Sequence, residues 1–266
     1  LLAARNETVA FQVVVTADDA ALDDVTVDVR FEGKELYTDR FVELFLDVPR
    51  ASGGKVPGEA IGWAPGSAPT PVVGKVPDPL APVMLPAVYP MRAAPHENGI
   101  VWVDVPVDRA QGVGLHRGEI TVRRHGAPLA TIPVELEVVD AVLPERPVRT
   151  MLAYGRGEIA KRTGSSFRAE RQFLQLLHRH RIAPMIGVAT VEELGAYLDA
   201  LNGPLYTPDA GYQGSAQGMA DAVVAIGPYG SLGAPDAEKV ARVAAIAAFL
   251  DERKLFATTD VFLYAA

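Results

Sequence analysis

Five tyrosines in the second half of the chain stand where short strands end or glycine-rich turns run: Tyr154, Tyr206, Tyr212, Tyr229 and Tyr264. A phenol offers a flat apolar face and a hydroxyl, which suits stacking on a sugar ring while hydrogen-bonding its substituents. We take all five as candidate substrate-binding residues; ordinary packing of aromatic rims is the alternative. The carboxylates form no pair suited to acid/base work. Asp251-Glu252 falls on a helix, Glu192-Glu193 in a helix start, and Glu158 stands alone after a strand.

The other chemical groups read as structural. Zinc-binding helices space two histidines at i, i+4, whereas His178 and His180 point about 200° apart at about 100° per residue. At a helix end their charge would instead complement the dipole. Gly211, Gly214 and Gly218, and again Gly227, Gly230 and Gly233, lack the Gly-Lys-Ser/Thr ending of a phosphate loop and read as turns near a barrel mouth. Asn6-Glu7-Thr8 matches a glycosylation sequon but opens a strand, so we read it as chance. No metal and no cofactor are expected.

The elements that must position the tyrosines follow from pattern. After Arg149, apolar runs at Thr150–Tyr154, Ile182–Val188, Ala222–Ile226 and Val261–Tyr264 read as buried strands. Between them, helices are expected near Arg168–Arg181, from Thr190 to Asn202, and over Asp236–Lys254. Thr190 and Glu193 form a capping box, and Val240, Val243, Ala247 and Leu250 share one face of the last helix. Four alternations of strand and helix imply parallel βα units. Their right-handed connections leave either half of an eight-stranded barrel or a small doubly wound sheet.

The first 143 residues keep period two instead. Val25, Val27, Val29 and Phe31 alternate with polar residues, as do Val42, Leu44, Leu46 and Val48, then Val101 to Val107, then Ile132, Val134, Leu136 and Val138. Each such strand has one face to bury and one to wet. With Phe11–Thr16 and Glu119–Arg123, at least six strands and no helix are expected, an antiparallel β-sandwich. Ala51 to Pro95 is rich in proline and glycine, which excludes a central strand or helix interior, so we expect an ordered coil covering a sheet edge or a domain seam, with a functional loop as the alternative. Two prolines in Leu143-Pro144-Glu145-Arg146-Pro147 set the boundary. The expected domains are a sandwich at 1–144, a linker at 145–149 and a partial barrel at 150–266.

Composition sets limits on function. Of 266 residues, 49% are hydrophobic and 22% charged, the profile of a globular chain. The net charge of −8 comes from interleaved signs, which argues against a nucleic-acid partner. Without cysteine there are no disulfides or thiolate metal sites. No run reaches the roughly 18 apolar residues of a membrane span. No export signal is visible, and the chain opens on Leu1-Leu2-Ala3-Ala4 rather than methionine.

Several segments together carry a resemblance. They are Ala3-Ala4-Arg5-Asn6-Glu7 leading into Ala10–Val15, Val76-Pro77-Asp78-Pro79-Leu80, Val101–Val105 running to Gly118–Val122, Leu177–Arg181, and Leu205–Gly214. In these, and in their order, the chain resembles the glycoside hydrolase family 123-like proteins. The resemblance implies an N-terminal sandwich followed by a (β/α)₈ barrel, a carbohydrate substrate of the N-acetylhexosaminide type, and a secreted, periplasmic or cell-surface bacterial location. It also implies an Asp-Glu pair directly after the fourth barrel strand. There the substrate's own acetamido group attacks the anomeric carbon, the Asp orienting that group and the Glu serving as acid and base.

Here the fourth strand ends at Tyr264, and the pair is expected just beyond Ala266. We therefore expect a portion of a longer hydrolase, inactive alone, that needs the remainder of the barrel or a partner chain. The alternative is a non-catalytic module for glycan binding or structural association.

Overall fold

The computed structural model describes residues 1–33, 36–50, 72–145, 150–164 and 167–264. The chain divides into two compact units, Leu1–Leu143 and Pro144–Ala266. Together they make a sheet-rich mixture of strand and helix in which the second unit carries a curled, half-barrel parallel sheet.

In the first unit lie β1 (Leu2–Arg5), β2 (Glu7–Thr16), β3 (Leu22–Phe31), β4 (Asp39–Val48), β5 (Gly74–Pro82), β6 (Met91–Ala93), β7 (Asn98–Val107), β8 (Gly114–Arg124) and β9 (Ala127–Val142). One sheet has the order β1-β9-β8-β3-β6, the other β2-β7-β4-β5. Alternate residues of both sheets meet in one apolar cluster that includes Val27, Val101, Val103, Val105, Leu136 and Val138. The period-two pattern thus produces the buried faces it implies. Two positions depart from it: Leu46 and Ile132 are exposed, Leu46 beyond the part of β4 that pairs with β7 and Ile132 outside the part of β9 that pairs with β1.

Two details depart from expectation. The β1–β9 pair is parallel, so this unit is not wholly antiparallel. The proline-rich stretch holds two strands, β5 and β6. Both sit at sheet edges, where a proline's missing N–H costs no ladder bond. Asn6 is buried with its side-chain amide donating to the Leu143 carbonyl at 2.8 Å, which leaves the sequon no accessible acceptor. The expected coil over residues 51–71, the connector residues 146–149 and Ala265-Ala266 lie outside the described residues.

The second unit runs β10 (Thr150–Ala153), α1 (Arg156–Thr163), α2 (Phe167–Arg179), β11 (Ile182–Val188), α3 (Val191–Gly195), α4 (Leu198–Asn202), β12 (Val223–Ile226), α5 (Ala237–Glu252) and β13 (Asp260–Leu263). The sheet order is β10-β11-β12-β13, every pair parallel. Ile186, Val188, Val224, Ile226 and Val261 pack in one cluster with Leu174 of α2, Leu194 of α3, Leu201 of α4 and Ile246 and Leu250 of α5. One face of the sheet is therefore covered by its own crossover helices.

The helices follow their local chemistry. At the start of α3, Thr190 accepts from the Glu193 N–H at 3.2 Å, and the Glu193 carboxylate reaches back to the Ala189 N–H at 2.6 Å. The single helix expected over Thr190–Asn202 breaks after Gly195 into α3 and α4. On α5 the buried residues are Ile246 and Leu250, flanked by Val243, while Val240 is exposed. Helix α1 buries no residue, so its sequence carries no apolar stripe to mark it.

Candidate functional site

In a parallel βα sheet the loops at the C-terminal ends of the strands converge on one edge, where such folds place their ligands. Here that edge begins after Ala153, Val188, Ile226 and Leu263. The ladder continues into the loops through Gly227 N–H to Val188 O at 2.8 Å and Tyr264 N–H to Ile226 O at 2.9 Å. Gly187, Ala225 and Phe262 lie in one row across β11, β12 and β13. Neighbours in register share a face, and these residues alternate with the helix-packed Ile186, Val224 and Val261. The row therefore belongs to the face turned from the helices.

Gly187 is required there by a close approach. A Cβ at this position would fall 2.6 Å from Pro228 Cγ, so its absence lets the Gly227–Gly230 turn lie across the end of β11. That turn carries Tyr229, which is 75% exposed and holds φ +52°, a left-handed conformation unusual for a bulky residue. Its ring centroid is 5.4 Å from that of Tyr264 at 43°, and Tyr264 in turn lies 6.5 Å from Phe262 at 39°. Two of the five candidate tyrosines thus meet, and Phe262 joins them. A pocket of about 290 Å³ opens beside the pair, lined by Gly230, Leu232, Lys239, Val240, Leu263 and Tyr264 among others.

The other three tyrosines are placed differently. Tyr206 and Tyr212 are buried around His178: the His178 ring stacks on Tyr206 at 3.8 Å and meets Tyr212 edge-on at 5.1 Å. Nε2 of His178 donates to the Met219 carbonyl at 3.0 Å, since a carbonyl can only accept. Nδ1 is 2.8 Å from the Tyr212 hydroxyl, which donates to the Ser215 carbonyl at 2.8 Å. Burial pushes the Tyr212 hydroxyl up to about 12. His178 is therefore a buried pin between α2 and the Gly203–Ala222 loop, not the solvated helix-end charge expected from its position.

Tyr154 donates its hydroxyl to Oε1 of Glu170 at 2.8 Å, and Tyr197 donates to the same oxygen at 2.7 Å. Arg156 approaches it through Nε at 3.2 Å and lies over the Tyr197 ring, 5.0 Å from its centroid. Burial, then the neighbouring Tyr197 and Glu170, raises Tyr154 well above the usual phenol range. Burial, then the hydrogen bond to Glu170, raises Tyr197. Both remain donors to a buried carboxylate.

Sequence reasoning missed Glu170, Arg156, Tyr197 and Phe262. A signal for Glu170 existed: with Leu174, Leu177 and His178 it falls at i, i+4, i+7 and i+8, the spacing of a buried helix face. Among the described residues no group of three or more His, Cys, Asp or Glu is arranged to hold a metal, and no helix is long and apolar enough to cross a membrane.

No family model matches the chain, and no curated protein matches it in sequence. Among solved structures, the chain is similar to a family 123 glycoside hydrolase from Clostridium perfringens, studied for glycolipid glycan hydrolysis. The TM-score is 0.58 and the identity 11%, over 98% of this chain and 53% of that one. That likeness shows a fold. The chain spans about half the length of the hydrolase. A xyloglucanase from Bacteroides ovatus, aligned over 98% of this chain and 43% of its own at 9% identity, has a TM-score of 0.20 and carries no argument.

Proposed function

We propose that this chain is the glycan-holding portion of a glycoside hydrolase acting on N-acetylhexosaminides, with Tyr229 and Tyr264 stacking on the sugar. The observation that carries the reading is the exposed, backbone-strained Tyr229 paired with Tyr264 at the C-terminal edge of a parallel sheet. Strain in an exposed aromatic residue needs a reason, and functional edges are where it collects. The shared core of the two N-terminal sheets supports a β-sandwich, and the curled sheet supports the first half of a (β/α)₈ barrel. The likeness to the family 123 hydrolase fold agrees with both. On this reading the chemistry is substrate-assisted, and the Asp that orients the acetamido group and the acid/base Glu lie just beyond Ala266.

A second reading, glycan binding without cleavage, has its own support. The carboxylates nearest the loop ends are engaged: Glu170 by two tyrosines and Arg156, Glu158 by Lys161, Glu193 by the Ala189 N–H and Asp236 by Lys239. Each of these has a partner within its own cluster or helix start.

The test pairs calorimetric titration of an N-acetylhexosamine oligosaccharide with an assay on a 4-nitrophenyl N-acetylhexosaminide. It uses the 266-residue chain and a longer protein carrying the residues that follow Ala266. Binding by both and turnover by the longer protein alone supports the hydrolase. Binding without turnover in either supports the second reading, and absence of binding sinks both.

A further inference from the structure

The Glu170 cluster holds a side chain with one side left over. Arg156 immediately follows the loop residue after Tyr154, at the same C-terminal edge of the sheet as the tyrosine pair. Its Nε lies 3.2 Å from Glu170 Oε1 in an ion pair, and its guanidinium carbon lies over the Tyr197 ring, 5.0 Å from the centroid. Among the described residues the edge bearing Nη1 and Nη2 meets no acceptor, and the side chain is 44% exposed. Were neutralising Glu170 its whole task, a two-pronged approach through those terminal nitrogens would do it better. The carboxylate is instead met by the single Nε contact and completed by two phenol hydroxyls, so the fork is turned outward.

Building on the hydrolase reading, we propose that Arg156 is a specificity-determining residue that binds the carboxylate of an acidic sugar neighbouring the hexosamine. A guanidinium fork matches a carboxylate in two parallel hydrogen bonds, which an ammonium cannot reproduce. Because the guanidinium already rests against Glu170 and the Tyr197 ring, part of its side-chain freedom is lost before binding. The spacing of the sheet sets the length of the ligand. Tyr229 and Tyr264 follow β12 and β13, two and three strand steps from β10 in the order β10-β11-β12-β13, about 10–14 Å along the sheet at the usual inter-strand distance. Arg156 and the Tyr229–Tyr264 pair therefore address different residues of one oligosaccharide: the aromatic pair takes the neutral hexosamine, and Arg156 takes an acidic residue further along.

The experiment titrates the 266-residue chain with three tetrasaccharides. One alternates N-acetylhexosamine with glucuronate, the second is its carboxyl-reduced counterpart, and the third carries sulfate in place of carboxylate. The acidic ligand should bind at least tenfold tighter than the reduced one. Arg156→Lys, which keeps a positive charge beside Glu170 but loses the fork, should erase that difference and leave the reduced ligand's affinity unchanged. Equal affinity for acidic and reduced ligands, an Arg156→Lys variant that keeps the preference, or stronger binding of the sulfated ligand would each overturn the assignment. If the reduced ligand binds and the carboxylate adds nothing, Arg156 loses its role while the glycan reading stands. If no tetrasaccharide binds, both fall.

Discussion

Tyr229 and Tyr264 come from successive βα turns, yet their rings lie 5.4 Å apart. The contact follows from the missing side chain at Gly187, which lets Pro228 cross the end of β11, and from the Tyr264 N–H bond to Ile226 O, which keeps Tyr264 in register with β12. An aromatic pair built in this way is set by backbone geometry, and its exposed member has little packing to lose.

Replacing Tyr229 by glycine should therefore separate function from stability. Relief of the left-handed φ is worth about 1 kcal/mol, while a ring that is 75% exposed contributes little burial. Urea unfolding should show stability unchanged or raised by about that amount, and titration should show hexosamine affinity falling at least tenfold. A destabilised variant with intact binding would show that the residue is structural.

Gly187→Ala tests the support beneath the pair. Its Cβ would lie 2.6 Å from Pro228 Cγ, so the turn must move, at a cost of about 1–3 kcal/mol by analogy with overpacked cores. Glycan affinity should fall with it although the substituted residue carries no ligand-binding group. A crystal structure of the variant with the Tyr229–Tyr264 spacing unchanged would refute the argument.

His178 on α2 and His180 just beyond its end should behave differently. His178→Leu leaves the Met219 carbonyl and the Tyr212 hydroxyl without their ring partner and removes the stack on Tyr206. The expected loss is about 2–4 kcal/mol, since buried polar groups stripped of partners rank among the larger single-site effects. His180→Ala, in the exposed turn, should stay within about 0.5 kcal/mol. Chemical denaturation of both variants decides the matter, and similar losses would contradict the burial difference.

These contrasts show which layer of the molecule the sequence discloses. Strand alternation at Val25–Phe31 and Val101–Val107 is local, and so are the caps at Thr190 and Asp236. A short window therefore reveals each of them. Register is not local: nothing near Tyr229 in sequence says that β13 will bring Tyr264 beside it. The burial of Glu170 was half legible, because it keeps the spacing of Leu174 and Leu177, but the hydroxyls that make the burial tolerable arrive from Tyr154 and Tyr197 on other elements. Helix α1 was invisible because its contacts leave no buried residue to mark a period.

Alkaline pH offers a test of the Glu170 and His178 clusters together. Burial raises Tyr154, Tyr197 and Tyr212 above their unfolded value of about 10. Between that value and the folded ones the unfolded chain releases protons that the folded chain keeps. The unfolded state then binds fewer protons, and stability falls as pH rises. Stability contributed by these phenols is complete below pH of about 10 and is lost above it. Urea unfolding of the second unit's transition at successive pH values should show a decline that starts there. The double variant Tyr154→Phe/Tyr197→Phe should be less stable at pH 7, because Glu170 loses both hydroxyl donors, yet should decline less steeply above pH of about 10. An equal slope in the variant would mean that these two phenols titrate in the folded chain as they do in the unfolded one, and that Glu170 is not holding their protons.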